Sequence, residues 1–247
     1  ELTIQTRSLD SEGRKANGTI KVHRLQEPDR VHRPPIQPAR YYPYRSGEPA
    51  ANLSDPNSWK LGPVVAEKKF ATGDNGSTSV PVELEAGTYR VLLDTKDAFG
   101  KPVTAMLPLH VLDMEADQLA SKLPFVWRAK KVSLEPNETY LAVWGTGYES
   151  GRAYVEVEHR GKILQSYWTP ARITQSVIEQ GVTEEMRGGF TVRVTMVREN
   201  RGYLESQQID VPWTNKQLHV KWEHFVSKLK PGGEESWSAI ISGPAAK

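Results

Sequence analysis

The side chains able to do chemistry are dispersed along this sequence. Its six histidines, His23, His32, His110, His159, His219 and His224, include no H-x-H or H-E-x-x-H pair. His219 and His224 stand five apart in HVKWEH, which reads as a strand, so they face opposite ways. Solvated strand histidines are the expectation, and no metal or cofactor is expected. No serine sits in a G-x-S-x-G elbow, and no glycine-rich loop precedes a helix where it could cradle phosphate. Carboxylates cluster in LDSEG, GDNG and KDAFGK, each a turn. TGDNGSTS approaches the alternating-oxygen pattern of a calcium loop, but an Asn-Gly turn is the simpler reading. The absence of cysteine excludes disulfides, thiolate metal sites, cysteine nucleophiles and a thioester within these residues. With no nucleophile–base pair or ligand set, the expectation is that the chain is not an enzyme.

Two sets of residues could instead bind a partner. Trp144, Trp168, Trp213, Trp222 and Trp237 lie in or beside strand-like runs, where core or domain-junction packing is expected. The rival reading is a row of exposed aromatics that stack on sugar rings. The stretch RVHRPPIQPARYYPYRSGEP interleaves arginine and tyrosine among prolines. It supplies a candidate partner-binding set of Arg33, Arg40, Tyr41, Tyr42, Tyr44 and Arg45, because Tyr and Arg dominate binding hot spots and polyproline geometry costs little to order. The preferred reading is plainer: a long connection between strands that packs back on its own domain or the next one.

The elements that must position these residues are strands. Nineteen glycines and seventeen prolines punctuate short runs of alternating polarity, the signal of sandwiches or barrels. GTYRVLLDT, the turn DAFGK and PVTAMLPLHV form one expected hairpin; AYVEVEHRGKILQSYW, turning at HRGK, forms another. GFTVRVTMV alternates Phe190, Val192, Val194 and Met196 against polar neighbours, the period of a strand with one buried face. DMEADQLASKLP alone has helical character, with Asp113 as cap and Pro124 as stop. The expected organisation is a sandwich over 1–113 with a Pro-rich inserted loop at 28–58, a linker helix at 114–124, a second sandwich over 125–214, and the opening strands of a third over 215–247. With 247 residues there is room for two ordinary domains. No apolar run is long enough for a membrane helix, and a net charge of +2 is far from that of a nucleic-acid binder. The chain begins Glu1-Leu2-Thr3, the pattern expected of a mature or excised segment.

A repeat supports the division. KKVSLEPNETYLAVWG and SKLKPGGEESWSAIIS align Pro136 with Pro231, 95 positions apart, and Leu134 with Leu229, a period close to an immunoglobulin-sized sandwich. These stretches resemble the opening strands of macroglobulin-type domains, and LEAGTYRVLLDTKDAFGKPVTAMLPLHVLD resembles the closing strands. The order resembles the large bacterial alpha-2-macroglobulin-like proteins, which string such sandwiches into one exported chain. The resemblance implies tandem immunoglobulin-like sandwiches in a periplasmic, outer-surface or extracellular protein that inhibits proteases or defends the envelope. The family's chemical signatures are a Cys-x-Glu-Gln thioester and a bait segment that proteases cut. Neither is found here, so no functional residue carries over and the implied role is framework. Expected partners are neighbouring domains of a longer chain and a protease or other protein, with self-association through residues 215–247 and no nucleic acid. A carbohydrate- or cell-surface-protein-binding module is the alternative.

Overall fold

The computed structural model describes residues 1–35, 51–224 and 226–244. Fifteen strands and three single-turn 3-10 helices are present among them, in three successive units. The first unit comprises β1 (Leu2–Gln5), β2 (Asn17–Gln26), β3 (Lys60–Ala71), β4 (Ser77–Val80), β5 (Gly87–Lys96) and β6 (Pro102–Val111). Four strands form the sheet β3-β2-β5-β6, and β1 pairs with β4 in a two-stranded sheet. Ile20, Val22, Tyr89 and Val91 from the larger sheet pack with Ile4 and Val80 from the smaller one. The β5–β6 hairpin turns where the sequence places it, with Gly100 at φ 79° and Asp97 Oδ1 accepting from the Phe99 and Lys101 amides.

The second unit is a complete sandwich. It contains β7 (Val126–Ala129), β8 (Thr139–Gly145), β9 (Tyr154–His159), β10 (Lys162–Trp168), β11 (Gln175–Gly181), β12 (Phe190–Arg198) and β13 (Arg201–Ile209). The sheet β11-β8-β7 faces the sheet β10-β9-β12-β13, and all pairings are antiparallel. Phe190, Val192, Val194 and Met196 bury the inner face of β12 as their alternation requires, against Tyr140, Ala142 and Trp144 of β8. Tyr140 and Phe190 meet edge to face with centroids 5.9 Å apart. Arg160 and Gly161, both at positive φ, make the two-residue turn between β9 and β10.

No helix forms over 114–124, which corrects the expected linker helix; the segment runs as turns and bends. Its backbone groups are claimed by other parts of the fold. Gln175 Nε2 donates to the carbonyls of Asp113 and Ala116, and the Thr174 and Gln175 amides both donate to the Asp117 carbonyl. The Lys122 amide donates to Glu27 Oε2 at 2.8 Å. A short isolated helix is marginal in water, so these tertiary bonds win. The segment ends in a small joint core where Leu25 and Trp59 of the first unit pack with Leu123 and Val126. Asp113 keeps part of the role read from the sequence, since its carboxylate accepts from the Glu115 amide at 3.0 Å.

The third unit is the hairpin β14 (His219–His224) and β15 (Ser238–Ser242), exposed along both strands. It repeats the geometry of β7 and β8. Glu138 N donates to the Glu135 carbonyl at 3.1 Å with Asn137 at φ 73°, and Gly233 N donates to the Lys230 carbonyl at 3.0 Å with Gly232 at φ 75°. Pro136 and Pro231 hold the second position of what are, in both copies, type II turns. Trp222 stands 95 positions after Trp127, on the first strand of each pair. Ahead of this hairpin a buried arginine holds the connecting segment to the second unit: the Arg187 side chain, 6% exposed, bonds Glu184, Glu135, Thr214 Oγ1 and the Pro212 carbonyl.

Candidate functional site

The loops at one end of the second sandwich form a concave surface with unsatisfied chemistry. The β8–β9 loop (146–153), the β10–β11 loop (169–174) and the β12–β13 turn (199–200) meet there. Thr169, fully buried, ties two of them together: its amide donates to the Ala153 carbonyl and its hydroxyl accepts from the Ala153 amide, both at 2.9 Å. That pairing fixes the base of Arg152, whose Nε donates to the Thr169 carbonyl at 2.9 Å. Gly151 lets the loop fold down, since a β-carbon there would stand 2.8 Å from Thr146 Cγ2. The result is a cleft of about 390 Å³ walled by Arg152, Trp168, Ala171, Arg172, Val197 and Arg198.

The arginines have no acidic counterpart. Arg152 stacks over the Trp168 indole at 5.5 Å from its centroid, and Arg198 stacks over the Tyr148 ring at 5.5 Å. Arg198 Nε is buried without a hydrogen-bond partner. Arg172 sits at φ 75°, in the left-handed region that costs a non-glycine residue energy. None of the three has a carboxylate within ion-pair distance among the described residues. Beneath them, burial pushes the Tyr148 hydroxyl well above its ordinary range, reinforced by Tyr203 at 3.4 Å and Glu199 at 3.3 Å. Tyr148 is therefore a neutral phenol at any physiological pH.

Of the candidate partner-binding residues, Arg33 is the only one within the described residues, and it reaches this same end of the sandwich. Its Nη1 lies 3.5 Å from the Glu199 carbonyl, while Arg201 Nε donates to the Pro34 carbonyl at 3.1 Å. Val31 packs against the second core. Arg40, Tyr41, Tyr42, Tyr44 and Arg45 lie outside the described residues. At its other end the 28–58 connection returns to the joint, where Trp59 Nε1 donates to the Leu53 carbonyl and Arg90 Nη2 to the carbonyls of Pro56 and Asn57.

The tryptophans divide. Trp144 is wholly buried, as expected for core packing, whereas Trp168 is 55% exposed on the outer face of its sheet. Trp213 lies under Lys216, whose Nζ is 4.2 Å from the ring centroid, and Arg160, at the seam to the third unit. A second cleft, of about 540 Å³, opens at the joint between Asp55, His110 and Arg128. His110 Nδ1 is buried there without a partner, and burial together with the Arg128 charge holds the imidazole below its ordinary pKa. Among the described residues no three His, Asp or Glu side chains gather as a metal site would require.

Comparison with known proteins places the second and third units. Residues 126–238 match the family model of the alpha-2-macroglobulin bait region domain, from the start of β7 to the start of β15. This stretch is similar to that domain family. The sequence alone shows no bait segment, yet residues 126–238 match the domain named for it. That family is a non-catalytic domain family, and macroglobulin-type domains are typically exported or extracellular. No helix among the described residues is long and apolar enough to cross a membrane. No curated protein sequence matches this chain. Among solved structures it is similar to one titled "Biofilm associated protein - BSP domain", at 14% identity and a TM-score of 0.26 over 79% of this chain. This chain spans 25% of that structure's length.

Proposed function

We propose that this chain is non-catalytic framework in an exported macroglobulin-like protein that takes part in protease inhibition or envelope defence. The observation that carries this reading is the bait-region-domain match across residues 126–238, which takes in a whole sandwich and the first strand of the hairpin that follows it. Both joints suit a framework role. The first is packed by Leu25, Trp59, Leu123 and Val126, and Arg187 holds the segment that leads into the second. A frame that transmits a change from a cut site must not flex at every connection. In this reading residues 215–247 open a third macroglobulin-like module, and their partners are neighbouring modules of the same protein or a second copy of the chain.

Limited digestion with trypsin and with elastase, followed by mass spectrometry, tests the proposal. The expected first cuts fall in residues 225–237, between β14 and β15, while both sandwiches survive as one piece. Early cleavage inside β7–β13, or release of the two sandwiches as separate fragments, would refute a rigid frame. Hydrolysis of a generic peptide or ester substrate by the purified chain would refute the non-catalytic part. A second reading is a module that binds carbohydrate or a cell-surface protein, and its protein arm draws on the arginine-lined cleft beside Trp168.

A further inference from the structure

We propose that the cleft at the loop end of the second sandwich binds the carboxylate of an acidic peptide segment on a partner protein. The inference goes beyond the framework role and does not depend on it. It begins with charge. Arg152 and Arg172 come from two different loops and Arg198 from the end of β12; they converge on one cleft and have no carboxylate within ion-pair distance among the described residues. Clustered guanidiniums repel one another, so an arrangement without an internal anion favours an external one. The forked donors of arginine match a carboxylate in bidentate geometry.

Two further observations show that the cleft is built. Arg172 is held at φ 75°, a conformation that a side chain rarely adopts without a reason in the surroundings. Arg198 presents a buried Nε with no partner, on a guanidinium braced by the Tyr148 ring. Arg152 is anchored by the Thr169 carbonyl through Nε, which leaves its two terminal nitrogens directed to other partners. Fixed guanidiniums lose little rotamer freedom on binding, which is where preorganised sites gain affinity.

The choice of a peptide carboxylate follows from the other walls. Ala171 and Val197 are apolar and exposed, and they fit the methylene stem of a glutamate. A sugar ring would need an open indole face. Trp168 instead carries the Arg152 guanidinium over its ring and has Tyr154 tilted beside it at 5.2 Å. A nucleic acid would need a basic groove that tracks several phosphates. Here the three arginines gather at one cleft instead.

The test uses the full chain and a short polyglutamate peptide, with a polyglutamine peptide of equal length, an oligouronate and inorganic phosphate alongside. Amide chemical shifts followed by NMR report the site, and Trp168 emission reports affinity. The expected result is saturable binding of polyglutamate, with shifts confined to residues 150–152, 168–172 and 197–198. Polyglutamine, oligouronate and phosphate should fail to saturate. Arg152→Gln combined with Arg172→Asn should weaken binding at least about tenfold, with an unchanged thermal midpoint. Both side chains are exposed, so the variant should fold; Arg172→Lys, which keeps the charge but not the fork, should fall between. Equal binding of polyglutamate and polyglutamine overturns the proposal. So does tighter binding of the oligouronate, shifts centred elsewhere, or no saturation by polyglutamate.

Discussion

Replacing Gly147 by alanine should loosen the joint between the two sandwiches. A β-carbon at this position would lie 2.3 Å from the Ser121 carbonyl oxygen and 2.9 Å from the Lys122 α-carbon. Both obstacles are backbone, so neither can rotate aside, and residues 121–124 must retreat. Retreat breaks the bond from the Gly147 amide to the Leu123 carbonyl and the bond from Thr146 Oγ1 to the Pro124 carbonyl, each 2.7 Å long. At about 1 kcal/mol apiece those bonds account for about 2 kcal/mol. Leu123 is buried against Leu25, Trp59 and Val126, and half-exposing it costs roughly 1 kcal/mol more. Alanine narrows the unfolded ensemble and returns about 0.4–1 kcal/mol, so the net loss is on the order of 2–3 kcal/mol. Urea unfolding, followed by tryptophan emission and by hydrogen exchange at residues 117–124, provides the assay. The expected outcome is a lower midpoint with faster exchange in that segment, while the β12 amides stay protected. A variant within about 0.5 kcal/mol of the parent would refute the reasoning, because it would mean that the clash relaxes without disturbing the joint.

Other perturbations probe other links. Trp144→Ala removes the largest wholly buried side chain and should cost about 3–5 kcal/mol in denaturant unfolding of the second sandwich. Arg187→Met keeps much of the volume but strands Glu184 and Glu135 and frees the Pro212 carbonyl, so proteolysis within 212–218 should accelerate while β7–β13 stay resistant. The depressed pKa of His110 sets the sign of a pH effect: the unfolded chain takes up that proton first, so stability should fall as pH drops below about 6.5. Thermal midpoints from pH 8 to 5 should show that decline, and His110→Gln should flatten the part of it that Arg128 and burial impose.

Local chemistry that agreed with the tertiary fold was readable in the sequence. The alternation Phe190, Val192, Val194, Met196 specified a strand with one buried face, and HRGK specified a tight turn, because period and turn residues act at short range. Pro136 and Pro231 were legible as a repeat for the same reason. The helix expected at 114–124 fails because capping and apolar spacing describe only what the segment prefers alone. Gln175, some sixty residues away, supplies the competing hydrogen bonds. The arginine cleft was hidden for a related reason: Arg152, Arg172 and Arg198 share no spacing, and only convergence in the fold joins them. Trp168 was read as a core or junction residue. On an edge strand whose inner face is filled by its neighbours, it points outward instead. Its one readable signal was the polar company of LQSYW.

The connection at 28–58 has a mechanical consequence. It leaves β2, touches the second sandwich through Val31 and Pro34, and returns to the joint at Leu53 and Trp59. Tension applied along the molecule therefore has two routes across the first joint. One runs through residues 112–125, and the other through a second covalent segment already in contact with the far side. Stretching the chain from its ends should first strip the Arg201–Pro34 contact and only then load the strands, so the extension trace should show a small early yield before either sandwich gives way. A chain wired in this way behaves less like beads on a string than like a hinge with a strap across it.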